Sequence, residues 1–135
     1  MAIDYGTKRT GIAVTDPLQI IANGLDTVET KFIFDFLTEY FANEPVEEVI
    51  IGEPRHKDGN PTFLTPIVHK FGEKIGKKYP EKKITFVDES FTSSDAKAII
   101  LKSGAKKKKR REKGLVDKIS AVLILQQYLE SKRYR

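Results

Sequence analysis

Apolar and polar residues recur along this chain with two spacings, which predict strands and helices in a definite order. Alternating or continuous apolar segments are typical of strands, whereas apolar residues three and four positions apart are typical of helices that pack against a sheet. Five segments predict strands, near 1–5, 11–15, 24–29, 47–52 and 83–88. Apolar stripes at helical spacing predict helices within 30–41, 66–79, 93–104 and 115–128. Thr65 is a candidate cap of the second helix, before Pro66 at its first position.

The order of these elements predicts an α/β fold. The first three strands follow one another as a meander, and the last two alternate with helices, which is the pattern of crossover connections. Together they predict one mixed five-stranded sheet in the order 3-2-1-4-5, with helices packed on it. The chain of 135 residues is long enough for a single domain over 1–135 whose core needs no disulfide or structural metal.

The first predicted hairpin combines an acid with two cations. Gly6 and Gly11 frame its turn, which predicts a turn with unusual backbone angles. Asp4 ends the first strand, and Lys8 and Arg9 project from the turn. A carboxylate at a strand end beside two cations suits a metal near a phosphate, but an ordinary hairpin with a solvated turn explains the same residues.

Acidic residues also stand where other strands are predicted to end. Glu53 ends strand four, Asp88 and Glu89 end strand five, and Asp117 lies early in the last helix. Ligands of such sheets gather at the carboxyl ends of parallel strands, and crowded carboxylates need a positive partner such as Mg²⁺ or Mn²⁺. Two such ions can clamp a phosphodiester. Each acid also has a simpler explanation: only one of two adjacent acids can point into a site, and the helix dipole favours an acid in a first turn.

Composition narrows the classes of function. The absence of cysteine excludes thiol catalysis, disulfides and zinc–thiolate sites, and two histidines are too few for a histidine-rich metal site. His56 follows a strand end and is a candidate substrate contact, whereas His69 is expected to be structural or solvated. Because the sequence has neither a charged-then-apolar leader nor an apolar segment long enough for a bilayer, the expected location is cytoplasmic.

Positive charge is concentrated near the last helix. The net charge is +5, and the segment 106–113 carries seven cations against one anion. Its consecutive cations are Lys106, Lys107, Lys108, Lys109, Arg110 and Arg111. Such a run is typical of a segment that binds nucleic acid, with a solvated loop as the alternative. We expect nucleic acid (structured RNA or branched DNA) as the partner, no membrane association, and a monomer or a weak homodimer.

Three segments carry a resemblance to a known family. They are Ile3-Asp4-Tyr5-Gly6-Thr7-Lys8-Arg9 with Gly11-Ile12-Ala13-Val14, then Val87-Asp88-Glu89, then Val116-Asp117-Lys118-Ile119-Ser120-Ala121. In this order and spacing they resemble the YqgF family over nearly the whole chain. That family has a ribonuclease-H-like fold and is described as a pre-16S rRNA nuclease and a Holliday-junction resolvase.

The resemblance implies a nuclease that depends on Mg²⁺ or Mn²⁺ and processes the 5′ end of pre-16S rRNA in ribosome biogenesis. It implies that the catalytic acids, which also bind the metal, are Asp4, Glu89 and Asp117. It implies that Lys8, Arg9 and the basic segment 106–113 contact the nucleic acid backbone. Two departures bear on this site, since the family often has leucine at the position of Glu53 and arginine at the position of Ser90.

Three other functions stay open at this point. A Holliday-junction resolvase needs two active sites and therefore a symmetric dimer. The same fold also serves as a catalytically inert nucleic-acid-binding module, because a fold alone does not establish activity. The segment from Asp4 to Lys8 also resembles the phosphate hairpin of the sugar-kinase and actin-like superfamily, whose members enclose a nucleotide between two such domains.

Overall fold

The computed structural model describes residues 1–19, 21–56, 58–89 and 113–133. Its strands are β1 (Ala2–Asp4), β2 (Arg9–Thr15), β3 (Ala22–Glu29), β4 (Glu48–Glu53) and β5 (Lys83–Asp88). Its helices are α1 (Ile33–Asn43), which a 3-10 turn (Thr30–Phe32) precedes, α2 (Thr65–Lys78) and α3 (Lys113–Arg133). The helix predicted within 93–104 lies outside the described residues. None of the described helices combines the length and the apolarity that crossing a membrane requires.

The five strands form one sheet in the order β3-β2-β1-β4-β5, which confirms the predicted order. β2 runs antiparallel to both β1 and β3, and β4 runs parallel to both β1 and β5. The short strand β1 is therefore central, with the hairpin partner on one side and a crossover partner on the other. Because β1, β4 and β5 are parallel, their carboxyl ends lie at one edge of the sheet.

Alternation along the strands gives the sheet two buried faces. One face packs against α1 and α2 through a set of buried side chains: Ile3, Ile12, Leu37, Ile51, Val68 and Ile75. The other face packs against α3 through a second set: Ala2, Ala13, Ile50, Ala121, Ile124 and Leu125. Any strand residue that shares the side of Ala2 or Ile50 therefore points toward α3, and this face carries the candidate site.

The far end of α3 is fixed to the start of β4 through Glu48. The hydroxyl of Tyr128 donates to Glu48 Oε2 at 2.9 Å, and that of Thr85 donates to the same oxygen at 2.6 Å. Burial alone would raise the pKa of Glu48, but these two hydrogen bonds and the nearby Lys83 and Lys132 lower it below its usual value. Since Glu48 is at the amino end of its strand, the first turns of α3 lie toward the opposite edge, where β1 and β4 end.

Two local predictions were wrong. Thr65 is the first residue of α2 and does not cap it; its hydroxyl donates to the carbonyl of Pro54 at 2.5 Å and so ties the helix to the preceding loop. Among the described glycines only Gly59 has a positive φ, 86°, so Gly6 and Gly11 do not serve unusual backbone angles. Both are needed for close approach, because a Cβ on Gly6 would overlap the carbonyl oxygen of Arg9.

Candidate active site

Asp4 lies at the end of the central strand and points toward α3. It follows Ala2 and Ile3, which point to the α3 face and to the opposite face respectively, so the alternation puts Asp4 on the α3 face. The backbone of Asp4 pairs with that of Gly11 on β2. The sequence-based placement of Asp4 at a strand end is therefore confirmed.

Glu89 directly follows β5, which β4 separates from β1, and it lies on the same face of the sheet as Asp4. Its backbone N–H donates to the carbonyl of Glu53 at 3.0 Å, which continues the pairing of β5 with β4 by one residue. A Cβ on Gly52 would lie 3.5 Å from Glu89 Oε2, and Gly52 faces Ile124 of α3. The absence of a side chain at Gly52 therefore leaves room for the Glu89 carboxylate on the α3 side. Asp88, one position earlier, is exposed, and its side chain is on the opposite face of the sheet.

Asp117 reaches the site because Gly11 has no side chain. A Cβ on Gly11 would overlap the carbonyl oxygen of Asp117 and lie 3.0 Å from the backbone nitrogen of Lys118. The backbone of α3 therefore rests directly on β2 beside Asp4. Asp117 is the fifth residue of α3, and the first turn of the helix contains no acid, so the dipole explanation for Asp117 does not apply. Its carboxylate instead accepts a hydrogen bond from Arg9, with Nε 3.0 Å from Oδ2.

Glu89 and Asp117 both act electrostatically on Asp4. Burial, with Glu89 and Asp117 as nearby negative charges, raises the pKa of Asp4 well above its usual value of 3.8. Burial, with Asp88 as a neighbouring charge, raises the pKa of Glu89 from 4.5 to about 7. Both shifts mean that the ionised carboxylates lack sufficient positive compensation among the residues that the structure describes. This is the electrostatic condition in which a bound cation is favoured.

The donor chemistry of this cluster suits a hard divalent cation. Asp4, Glu89 and Asp117 offer carboxylate oxygens, which are the ligands that Mg²⁺ and Mn²⁺ prefer. As the side chains stand, no three acidic or histidine residues of the described chain are arranged to share one ion. The carboxylate of Asp117 is engaged with Arg9, whereas Asp4 and Glu89 are the pair with raised pKa values.

Glu53 ends β4 between these acids but belongs to a different cluster. It follows Gly52 and so points to the α2 face, where Arg55 forms an ion pair with Oε1 and His69 Nε2 lies 3.1 Å from Oε2. The ring of His69 also stacks on Phe86, with a centroid distance of 4.6 Å. Two partners and the opposite direction separate Glu53 from the acids on the α3 face. The sequence left open whether Glu53 joins the acids of the metal site, and in the structure it lies apart from them. His69 has the structural role expected of it.

The predicted basic contacts divide into three groups. Lys8 is exposed in the hairpin turn, as a contact to phosphate would require. Arg9 is the first residue of β2 and is paired with Asp117, which its position in the sequence did not indicate. The cations of the segment 106–111, and Ser90, lie outside the described residues. His56 is exposed in the loop after β4, where its backbone N–H donates to the carbonyl of Asn60.

Thr30 is a residue that the sequence did not single out. Its hydroxyl donates to the carbonyl of Gly6 at 2.6 Å, and its N–H donates to the carbonyl of Lys8 at 2.9 Å. The buried hydroxyl of Thr10 lies 2.9 Å from the same Thr30 oxygen. Thr30 therefore fixes the turn that carries Lys8. The only signal for it was a threonine directly after the third predicted strand, which is too common to be informative.

Comparisons with known proteins agree with these features. The model of a family described as "RuvX: Holliday junction resolvase" matches residues 1–131. A Flavobacterium johnsoniae protein named "Putative pre-16S rRNA nuclease" is 50% identical over 134 residues, which are 99% of this chain and 97% of the relative. A Phocaeicola vulgatus protein of the same name is 51% identical over 134 residues, with 99% and 96% covered. The chain therefore belongs to the RuvX family, the family that its three motifs resemble under the name YqgF.

Proposed function

We propose that this protein is a divalent-metal-dependent nuclease that hydrolyses phosphodiester bonds in structured RNA and processes the 5′ end of pre-16S rRNA. The observation that carries the proposal is the position of Asp4 on the α3 face, where burial and the charges of Glu89 and Asp117 raise its pKa. Membership of the RuvX family and the names of the relatives support a nuclease and this RNA substrate. The role would place the protein in the bacterial cytoplasm.

The residues of the site have separate tasks in this proposal. Asp4, Glu89 and Asp117 would hold Mg²⁺ or Mn²⁺, and such an ion activates water and stabilises the leaving oxygen of a phosphodiester. Asp4 is the last residue of β1 and Glu89 directly follows β5, so they define a binding point that is rigid relative to the sheet. Lys8 in the hairpin turn supplies a positive charge that binds and orients the phosphate backbone beside this point.

Cleavage of four-way DNA junctions is the second candidate activity. The description of the family model favours it, because that family is described as a Holliday junction resolvase. A resolvase cuts two strands symmetrically and so needs a dimer with two active sites. A protein that stays monomeric on four-way DNA would count against this activity and would leave the RNA activity unaffected.

The test is cleavage of two labelled substrates side by side. One is a precursor 16S rRNA fragment that includes the 5′ processing site, and the other is a four-way DNA junction, each with Mg²⁺ and with EDTA. The proposal expects Mg²⁺-dependent cleavage of the RNA that Asp4→Asn lowers by several orders of magnitude. Asp35→Asn is the matched control, because this exposed acid lies in the first turn of α1 on the opposite face of the sheet. Cleavage that resists both EDTA and Asp4→Asn would refute the proposal, and binding without any cleavage would indicate an inert module.

A further inference from the structure

Arg9 and Asp117 form an ion pair that joins the hairpin to α3. The Nε of Arg9 lies 3.0 Å from Asp117 Oδ2, and the two residues are 108 positions apart in the chain. The side chain of Arg9 is 38% exposed and that of Asp117 is 25% exposed. Solvent, an ion or a phosphate can therefore reach the pair without opening the core.

This ion pair occupies an oxygen that a metal site would use. The Arg9 guanidinium already lies against oxygen Oδ2 of the Asp117 carboxylate. In this arrangement the described acids do not form a group of three around one point. A divalent ion close to Asp117 would also repel the guanidinium, since both are positive and only a few ångströms would separate them.

We propose that Arg9 is the counter-ion of Asp117 in the metal-free protein, and that a divalent cation and Arg9 compete for this carboxylate. The inference rests on the proposed function, because it assumes that Asp117 is a metal ligand. The cation displaces the guanidinium from Asp117, and the released guanidinium binds a phosphate of the nucleic acid. A guanidinium suits this exchange, because its planar set of N–H donors fits both carboxylate and phosphate oxygens.

The exchange couples the two ligands of the protein. A phosphate that takes Arg9 away from Asp117 makes the carboxylate available, so nucleic acid strengthens metal binding. By thermodynamic reciprocity, the metal strengthens nucleic acid binding by the same factor. The metal ligands would then be completed when substrate is present, which would limit the binding of metal to the free protein.

The test measures metal affinity in variants that lose one positive charge. Calorimetric titration of Mg²⁺ and Mn²⁺ compares the wild type with Arg9→Gln and with Lys8→Gln, which removes the same charge from the adjacent exposed residue. Competition predicts that Arg9→Gln binds metal about fivefold more tightly than Lys8→Gln, the factor expected when a partly exposed ion pair no longer opposes binding. The proton on Arg9 Nε provides a second measurement by NMR, and its signal is assigned by its loss in Arg9→Lys. Saturation with Mg²⁺ should accelerate its exchange with water.

The outcomes separate this inference from the proposed function. Metal binding by Arg9→Gln that is equal to or weaker than that of Lys8→Gln would overturn the competition, as would an Arg9 Nε–H signal that Mg²⁺ leaves unchanged. In both cases the nuclease proposal stands if the wild type binds metal. A wild type that binds metal weakly, with an Arg9→Gln variant that binds it more tightly than Lys8→Gln does, would support the competition. Absence of metal binding in both proteins would refute both the inference and the proposed function.

Discussion

The contact between Gly11 and α3 makes the candidate site sensitive to a single methyl group. In Gly11→Ala the new Cβ would overlap the carbonyl oxygen of Asp117, which is backbone and cannot rotate away. The helix α3 must therefore retreat by about 1 Å, and overpacking of this kind costs roughly 1–3 kcal/mol of unfolding free energy. Because Asp4 pairs with Gly11, the same shift separates Asp117 from Asp4. A misplacement of about 1 Å in an active site can cost about 100-fold in rate.

The assay combines urea unfolding with cleavage of the RNA substrate, and Gly76→Ala is the matched control. Gly76 lies within α2, and a Cβ there would meet only Ile84 Cγ1 at an ordinary 3.9 Å. Gly76→Ala should therefore gain about 0.5–1 kcal/mol from helix propensity and keep its activity. We expect Gly11→Ala to be less stable than the wild type and about 100-fold less active under conditions where it is fully folded. The reasoning is refuted if Gly11→Ala matches Gly76→Ala in both stability and activity.

Three further predictions concern ionisation, the hairpin turn and the basic segment. Glu89 has a pKa of about 7 in the fold against 4.5 unfolded, so the folded protein holds the extra proton between these values. The metal-free wild type should therefore lose at most about 3 kcal/mol of stability relative to Glu89→Gln as the pH rises from 4.5 to 7. Comparing the two proteins cancels the contribution of the Met1 amino group, whose pKa is lowered to about 6 and which acts in the opposite direction. A stability difference between the two proteins that is independent of pH contradicts the raised pKa of Glu89. Thr30→Val should lower stability by about 1–3 kcal/mol and weaken RNA binding with unchanged metal affinity, because Gly6 loses a hydrogen bond. Equal RNA affinity would show that the turn does not position Lys8. Replacing all six cations of 106–111 with serine should weaken the binding of nucleic acid of any sequence and flatten the plot of log affinity against log salt concentration. An unchanged slope rules out phosphate contacts by this segment.

The sheet could be predicted because each strand carries its own local signal. The continuous apolar segment around Ile50 predicted a strand buried on both faces, and the order of a meander followed by crossovers predicted which strand is central. Strand alternation then explains the outcome for the adjacent acids, since Glu89 points to the α3 face and Asp88 does not. The direction of the Glu53 side chain follows the same rule. Whether Glu53 lies on the same face as the site depends, however, on which face of the sheet α3 covers, and no local pattern in the sequence reveals that.

The contacts of the site could not be predicted because they join distant segments. The sequence assigned Gly11 to a turn, whereas its role depends on α3, more than 100 positions later. Arg9 was expected to contact the nucleic acid, and its ion pair with Asp117 depends on how closely that helix lies on β2. Thr30 acts through backbone carbonyls of the hairpin, which any sequence would supply. Periodicity reports which face of an element is buried, but it does not report these distances.

The most direct test of the central claim is a calorimetric titration of Mg²⁺ and Mn²⁺ into the wild type and Asp4→Asn, with the unfolding free energy of both measured in EDTA. The account predicts that the wild type binds metal and that Asp4→Asn does not bind it measurably. Without metal, Asp4→Asn should be as stable as the wild type or more stable, because one charge has left a repelling cluster around Glu89 and Asp117. Unchanged metal binding, or a large loss of metal-free stability in Asp4→Asn, would contradict the account and make Asp4 a structural residue.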